Sequence, residues 1–213
     1  MAHAQGRGVR VEISATFARD KTVTAVTQAT TGVATSTAHG LANDTVGYFL
    51  NVSGMVQLEK QAARVKNQAA NTFELQGLNT TNFPAFTAGT FRPVATWQTL
   101  AEATSYSFGG GSADKLDATR LIDVAKVEEL GNLPADSMTI NLLSQDTPSA
   151  AMALLETAVQ TQGIVVARIT LPNGAVRIAT IEPSLPGEDV QQGQLGTGTI
   201  EGAVKGLVMK LAA

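Results

Sequence analysis

The chain has 213 residues, 44% hydrophobic and 15% charged, long enough for one large or two small domains and too apolar for a disordered, self-repelling chain. A net charge of −3 supplies no basic field to draw in nucleic acid, which argues against tight DNA binding. The absence of cysteine removes disulfide staples, thiolate zinc sites and cysteine nucleophiles together, so stability must come from packing.

In chain order, the first residues, MAHAQGRGVRVEIS, lack the apolar core of a secretory signal, and no later stretch approaches about 18 continuous apolar residues. The expectation is a soluble protein made in the cytoplasm, with no membrane partner. Residues 9 to 17, VRVEISATF, alternate apolar and polar side chains with Val9, Val11, Ile13 and Ala15 on one face, which predicts a strand. A Thr-rich run from Lys21 to Thr37 follows, and then turn residues break up short β-branched and aromatic stretches. The stretch RVKNQAANTFEL, from Arg64 to Leu75, predicts two short strands about a polar turn. Residues 22 to 95 thus read as a small all-β module, ended by NFPAFTAGTFRP, which is rich in loop formers.

From Trp97 the segment WQTLAEATSYSF resumes strand-like alternation, and SFGGGSADKLDATRL then predicts a long flexible loop. Residues 96 to 147 carry eight acidic against three basic side chains, a balance of −5, while the rest of the chain sums to +2. A helix is predicted from Pro148 to about Gln162, with Thr147 as N-cap, Pro148 at the first helical position and Gly163 at the left-handed C-terminal position. Its apolar stripe is Ala151, Leu154, Leu155, Ala158 and Gln162, with Met152 and Val159 beside it. Next, IVVARITLPNGAVRIATIE predicts a hairpin turning at Pro172, Asn173 and Gly174, and after the loop-forming PSLPGEDVQQGQLG the end reads as a last strand with a short tail.

An isolated two-stranded ribbon is marginal in water, so the strand at 9 to 17 needs partners from the C-terminal half. This gives a mainly β core domain made of 1–21 and 96–213, with one flanking helix, and residues 22–95 inserted into it. Reactive chemistry is sparse. His3 and His39 form no ligand cluster, and His39 before Gly40 reads as a turn-fixing side chain. The glycines Gly109 to Gly111 lack the Gly-Lys-Ser/Thr of a phosphate loop, no GxSxG elbow occurs, and Glu128 with Glu129 or Asp114 with Asp117 read as solvated charges. No enzyme activity, metal or cofactor is expected.

The stretch from Gly32 to Leu78 resembles a small β-module that recurs in phage tail proteins and is similar to the first catalytic-cysteine half-domain of ubiquitin-activating enzymes. Its marks are Thr37, His39, Gly40 and Leu41, the Ser53-Gly54-Met55 turn, and Ala70-Asn71-Thr72-Phe73 leading to Leu75. Asn43-Asp44 and Leu58-Glu59-Lys60 stand where the usual pattern has Gly-Asp and Leu-Asn-Gly. No ubiquitin chemistry follows, since the chain has no cysteine. From Trp97 into the helix the chain resembles the major tail tube subunits of long non-contractile phage tails.

That resemblance implies a β-sandwich or barrel-like core flanked by one helix, and hexameric rings of identical subunits stacked into a hollow tube through which DNA passes to the host without specific binding. The implied partners are further copies of the chain, the tape measure protein, the tail terminator and the tail-tip or baseplate proteins. The implied location is the virion tail, after assembly in the host bacterial cytoplasm. The module at 22–95 is expected on the tube exterior. The candidate ring-stacking loop is Gly109, Gly110, Gly111, Ser112, Asp114, Lys115 and Asp117, because such a loop orders only once a partner covers it. Some acidic residues are expected to face the lumen and repel passing DNA. The rival class is a tail-tip or capsid-decorating protein that contacts the host surface; a wall-degrading enzyme would need a paired carboxylate cleft.

Overall fold

A computed structural model describes residues 8–110, 114–122, 124–131, 136–145, 147 and 149–213. The chain is mainly β, 50% strand and 7% helical. The first strands are β1 (Arg10–Phe17), β2 (Lys21–Val23), β3 (Ala25–Val26), β4 (Val33–Thr35) and β5 (Val46–Ser53). A short 3-10 turn, Val56–Leu58, leads to β6 (Ala62–Lys66), β7 (Thr72–Leu75), β8 (Ala88–Thr99) and β9 (Ala103–Gly109). Then come β10 (Lys115–Asp117), β11 (Glu128–Leu130), β12 (Ser137–Leu143) and the helix α1 (Ala150–Gln160). The chain finishes with β13 (Val165–Thr170), β14 (Val176–Pro183), β15 (Gly187–Asp189) and β16 (Thr197–Leu211).

Fourteen of these strands form one curled antiparallel sheet in the order β3-β4-β7-β6-β5-β8-β1-β13-β14-β16-β12-β9, with β2 added to β8 and β15 to β16. β1 lies mid-sheet between β8 and β13. Its alternation sends Val11 and Ile13 into the core beneath α1, yet the opposite residues Glu12 and Ser14 are also buried. Both are satisfied there. Arg168 Nε donates to Glu12 at 2.9 Å, and Ser14 Oγ accepts the Val166 N–H at 3.0 Å. The Arg168 guanidinium also lies 4.1 Å over the Trp97 ring, closing that face with a cation–π contact.

The loop expected over NFPAFTAGTFRP is a loop only at its start. β8 begins at Ala88 and runs twelve residues through Pro93 to Thr99. Its first half pairs with β2 and β5, its second half with β1. Pro93 is tolerated because it serves as an acceptor, its C=O taking the Ala18 N–H at 2.8 Å. Positions 95 and 96 therefore fall inside one continuous strand. Two hydrophobic clusters flank that strand. One gathers Phe49, Phe73, Phe91 and their neighbours, and also recruits Val166, Ile178, Met209 and Leu211 from the C-terminal half. The other lies under α1 and centres on Ile13, Ile140, Leu155 and Ile181.

α1 buries Ala151 and Leu155 and packs Met152, Leu154 and Ala158 against the second cluster, as its stripe predicts. Its ends differ from expectation. Ser149, not Thr147, is the N-cap, its hydroxyl accepting the Met152 N–H at 3.3 Å, and Gln162 (φ 50), not Gly163, takes the left-handed position. Pro148 lies outside the described residues. In the β13–β14 hairpin only Gly174 has positive φ, 82°. Its N–H bonds the Leu171 C=O at 2.9 Å, which makes a turn with Pro172 second and glycine fourth rather than the two-residue Asn-Gly turn.

Where β2 meets β8, Arg92 holds Asp20 through two hydrogen bonds of 2.8 and 2.7 Å, and this pairing lowers the Asp20 carboxyl from its ordinary value of 3.8. Both side chains are more than a third exposed, 37% and 39%, so Asp20→Asn is expected to cost less than about 1 kcal/mol near neutral pH. A carboxyl depressed in the folded state stabilises above its unfolded value and loses that contribution as pH falls through the folded one. The difference between wild type and Asp20→Asn in urea titrations should accordingly shrink as pH falls below the ordinary carboxyl value of 3.8.

Candidate functional site

The sheet ends differently on its two sides. At one end stands β3, only two residues long, a length that blunts an edge. At the other stands β9, ATSYSFG, seven residues with no proline and no charge, paired on one side to β12. Tyr106 and Phe108 turn inward and meet edge to face at 5.9 Å between ring centroids, while Ser105 and Ser107 point outward. Proteins that keep an edge free of partners protect it with Lys, Pro, bulges or short length. β9 carries no Lys or Pro, its one register shift is at Thr104 near its start, and from Ser105 to Gly109 it runs in regular register with β12 on one side only.

From this edge the chain leaves as a separate two-stranded ribbon of β10 and β11. Gly109 is the last residue of β9 and faces Ser137, so the ribbon departs and returns between register partners. The expected flexible loop is thus a strand end at Gly109, Gly110 at the root, and a ribbon beyond it. Gly111 and Ser112 lie outside the described residues, as does His3. Asp114 closes the ribbon with its C=O, which accepts the Gly131 N–H at 2.6 Å. Lys115 reaches Glu128 at 2.8 Å, and Lys126 reaches the same carboxylate at 3.0 Å. The Thr119 hydroxyl and N–H hold the Asp117 carboxyl below its ordinary value, while Lys115 and then Lys126 do so for Glu128.

Asp117 and Glu128 are therefore committed to shaping the ribbon. Sequence reasoning missed its apolar side chains. Leu116, Leu121, Ile122, Val124, Val127 and Leu130 are all exposed. A patch of this kind on a folded subunit marks a surface that another molecule covers. The available signal was the run LDATRLIDVAKVEEL, whose apolar residues belong to no long strand and no capped helix.

His39 is buried and fixes a turn. Its Nδ1 accepts the Leu41 N–H at 2.9 Å, which leaves Nε2 to donate to the Thr72 C=O at 3.3 Å, and its ring meets Phe73 edge to face at 5.1 Å. Asn71 supports the same turn, its Oδ1 accepting the Ala38 N–H at 2.9 Å. The two sequence marks around His39 and Asn71 thus meet in space and do structural work. Among the described residues no group of three or more His, Cys, Asp or Glu is placed to hold a metal ion. Nor is any described helix long and apolar enough to cross a membrane.

No curated protein matches the sequence. The family model for phage tail tube proteins matches residues 53–184, more than half of the chain, from the end of β5 to the end of β14. That family is structural and not enzymatic, which agrees with a molecule whose outstanding features are an open strand edge and an uncovered apolar ribbon. The chain belongs to the phage tail tube proteins.

Proposed function

We propose that this chain is the repeating subunit of the tail tube of a long non-contractile phage tail, closing into hexameric rings that stack into a channel for DNA. The observation that carries the reading is the uncharged, proline-free β9 edge with the apolar ribbon rooted on it. Edge pairing between neighbours would satisfy the β9 backbone and close a ring, while the ribbon would clasp the next ring through the segment holding Gly109, Gly110, Gly111, Ser112, Asp114, Lys115 and Asp117. Residues 22–95 act as an insertion within the domain formed by 1–21 and 96–213 and lie on the tube exterior, being too bulky for a narrow bore. The tape measure protein, the terminator and the tail-tip proteins cap or fill the tube. DNA passes without specific binding, consistent with a net charge of −3.

Gly109 and Ser137 are register partners, so residues 111–135 can be replaced by a short turn that closes β9 onto β12 as an ordinary hairpin. Negative-stain microscopy should show tubes from the intact protein. The excised variant should keep its β-sheet circular dichroism and give no tubes. Tubes of normal length from the excised variant would remove the ribbon from the stacking role. Intact protein that stays as single particles would favour the decorating class instead.

A further inference from the structure

The ribbon is rooted at one end of the β9–β12 pair, at Gly109 and Ser137. At the other end of that pair, six residues along the strands and roughly 20 Å away, a groove of about 280 Å³ opens between α1 and the β15 side of the sheet. Its apolar walls include Leu142, Met152, Leu185 and Pro186. Its charged lining is acidic throughout, Glu102, Glu156 and Glu188, with no Lys or Arg. Glu188 already accepts the Ser144 hydroxyl. Glu102 is different: it is 5% exposed, and its Oε2 is buried without a hydrogen-bond partner. A buried carboxylate oxygen without a donor is costly, and the groove that reaches it is where a donor can arrive.

We propose that this groove receives the ribbon tip of a second copy of the chain, with the Arg120 guanidinium of the incoming tip bound at Glu102. The tip matches the groove in both respects. Leu121, Ile122 and Val124 are the three most exposed large apolar side chains among the described residues, and Arg120 directly precedes them. The fork of a guanidinium suits a carboxylate at the floor, and the aliphatic neighbours suit the walls. Because the ribbon's root and the groove sit at opposite ends of the same strands, each copy offers a knob rooted at one end and a hole at the other. Such a heterologous contact does not close on itself and propagates head to tail. The proposal rests on the tube-subunit reading and names the receptor of its stacking contact.

The chain has no cysteine, so two single variants test the contact cleanly. Ile122→Cys and Leu185→Cys proteins carrying different tags are mixed, assembled and oxidised. A disulfide requires Cα atoms within about 7 Å, so a dimer carrying both tags reports tip in groove. That mixed dimer is the expected product, with little from either variant alone. Arg120→Glu at the exposed tip and Glu102→Gln at the floor are each expected to raise the protein concentration needed for tube formation by at least about 30-fold. Arg120 is exposed and lies outside both hydrophobic clusters, so the tip variant's result stands even if Glu102→Gln weakens the fold. Tubes that form without the mixed disulfide, or that form equally well from Arg120→Glu, overturn the groove assignment and leave the tube reading intact. Intact protein that never makes tubes overturns both.

Discussion

Phe91→Ala is expected to lose about 3–5 kcal/mol, the usual cost of emptying a fully buried aromatic site. Phe91 is 0% exposed and stands on β8, its ring 5.2 Å from that of Phe49 and 5.3 Å from that of Phe73. Its ring lies across Gly47, where a Cβ would come within 2.7 Å of it, so that position of β5 offers no side chain to fill the space left behind. Small domains are stable by only about 5–15 kcal/mol, and the variant would forfeit a large share of that margin. The loss is expected to be global. β8 continues from the Phe91 cluster into its pairing with β1, and Val166, Ile178 and Met209 join that cluster from the C-terminal half. Trp97 is the only tryptophan and sits on the second half of β8. In urea titrations, its fluorescence and the far-ultraviolet circular dichroism should move together to a lower midpoint. Trp97 packs on the Phe91 cluster, so a Trp97 midpoint that falls while part of the dichroism transition stays in place would show that the two clusters unfold separately.

The sequence made local elements legible and left their joining obscure. Alternation located β1, the Asn-bearing turn located β6 and β7, and the stripe on α1 located the face that packs on the sheet. These signals are local and follow from side-chain period. β8 was obscured because glycine and proline usually interrupt strands, whereas Gly89 and Pro93 are held here by long-range pairing to β2 and β5. The helix ends moved by two residues because Thr147 and Ser149 are both able caps and only packing selects between them. Glycines 109 and 110 mark where β9 ends and the ribbon departs, and Asp117 and Glu128 are partnered within the ribbon. The apolar tip and the orphaned Glu102 oxygen were hidden, because exposure of a leucine and burial of a glutamate are properties of tertiary structure.

Gly206→Ala is expected to cost about 2–5 kcal/mol, from two sources that can be measured apart. β16 carries two extra residues opposite β14 between Lys205 and Met209, and Gly206 turns that bulge with φ of 80°. A side chain there pays left-handed strain of about 1–2 kcal/mol. Its Cβ would also lie 2.6 Å from Gln61 Oε1 and 3.2 Å from Gln61 Cα. Gln61 has no room to retreat. It is 1% exposed, its Oε1 accepts the Leu207 N–H at 2.7 Å, and its Nε2 donates to the C=O groups of Leu207 at 3.0 Å and Ala62 at 2.9 Å. Breaking that buried amide clasp adds about 1–3 kcal/mol. In a Gln61→Ala background the clasp and the side-chain clash are gone and only the 3.2 Å approach to the Cα of residue 61 remains, so Gly206→Ala should then cost little more than its backbone strain. The double-mutant cycle should show a coupling of at least about 1 kcal/mol. Additive costs would mean that the bulge, and not the clasp, holds β6 against β16. With coupling, Gln61 is the polar tie that sets β6 against the long strand β16, and loosening it should, if the proposed tube assembly holds, also reduce the yield of tubes under the microscope.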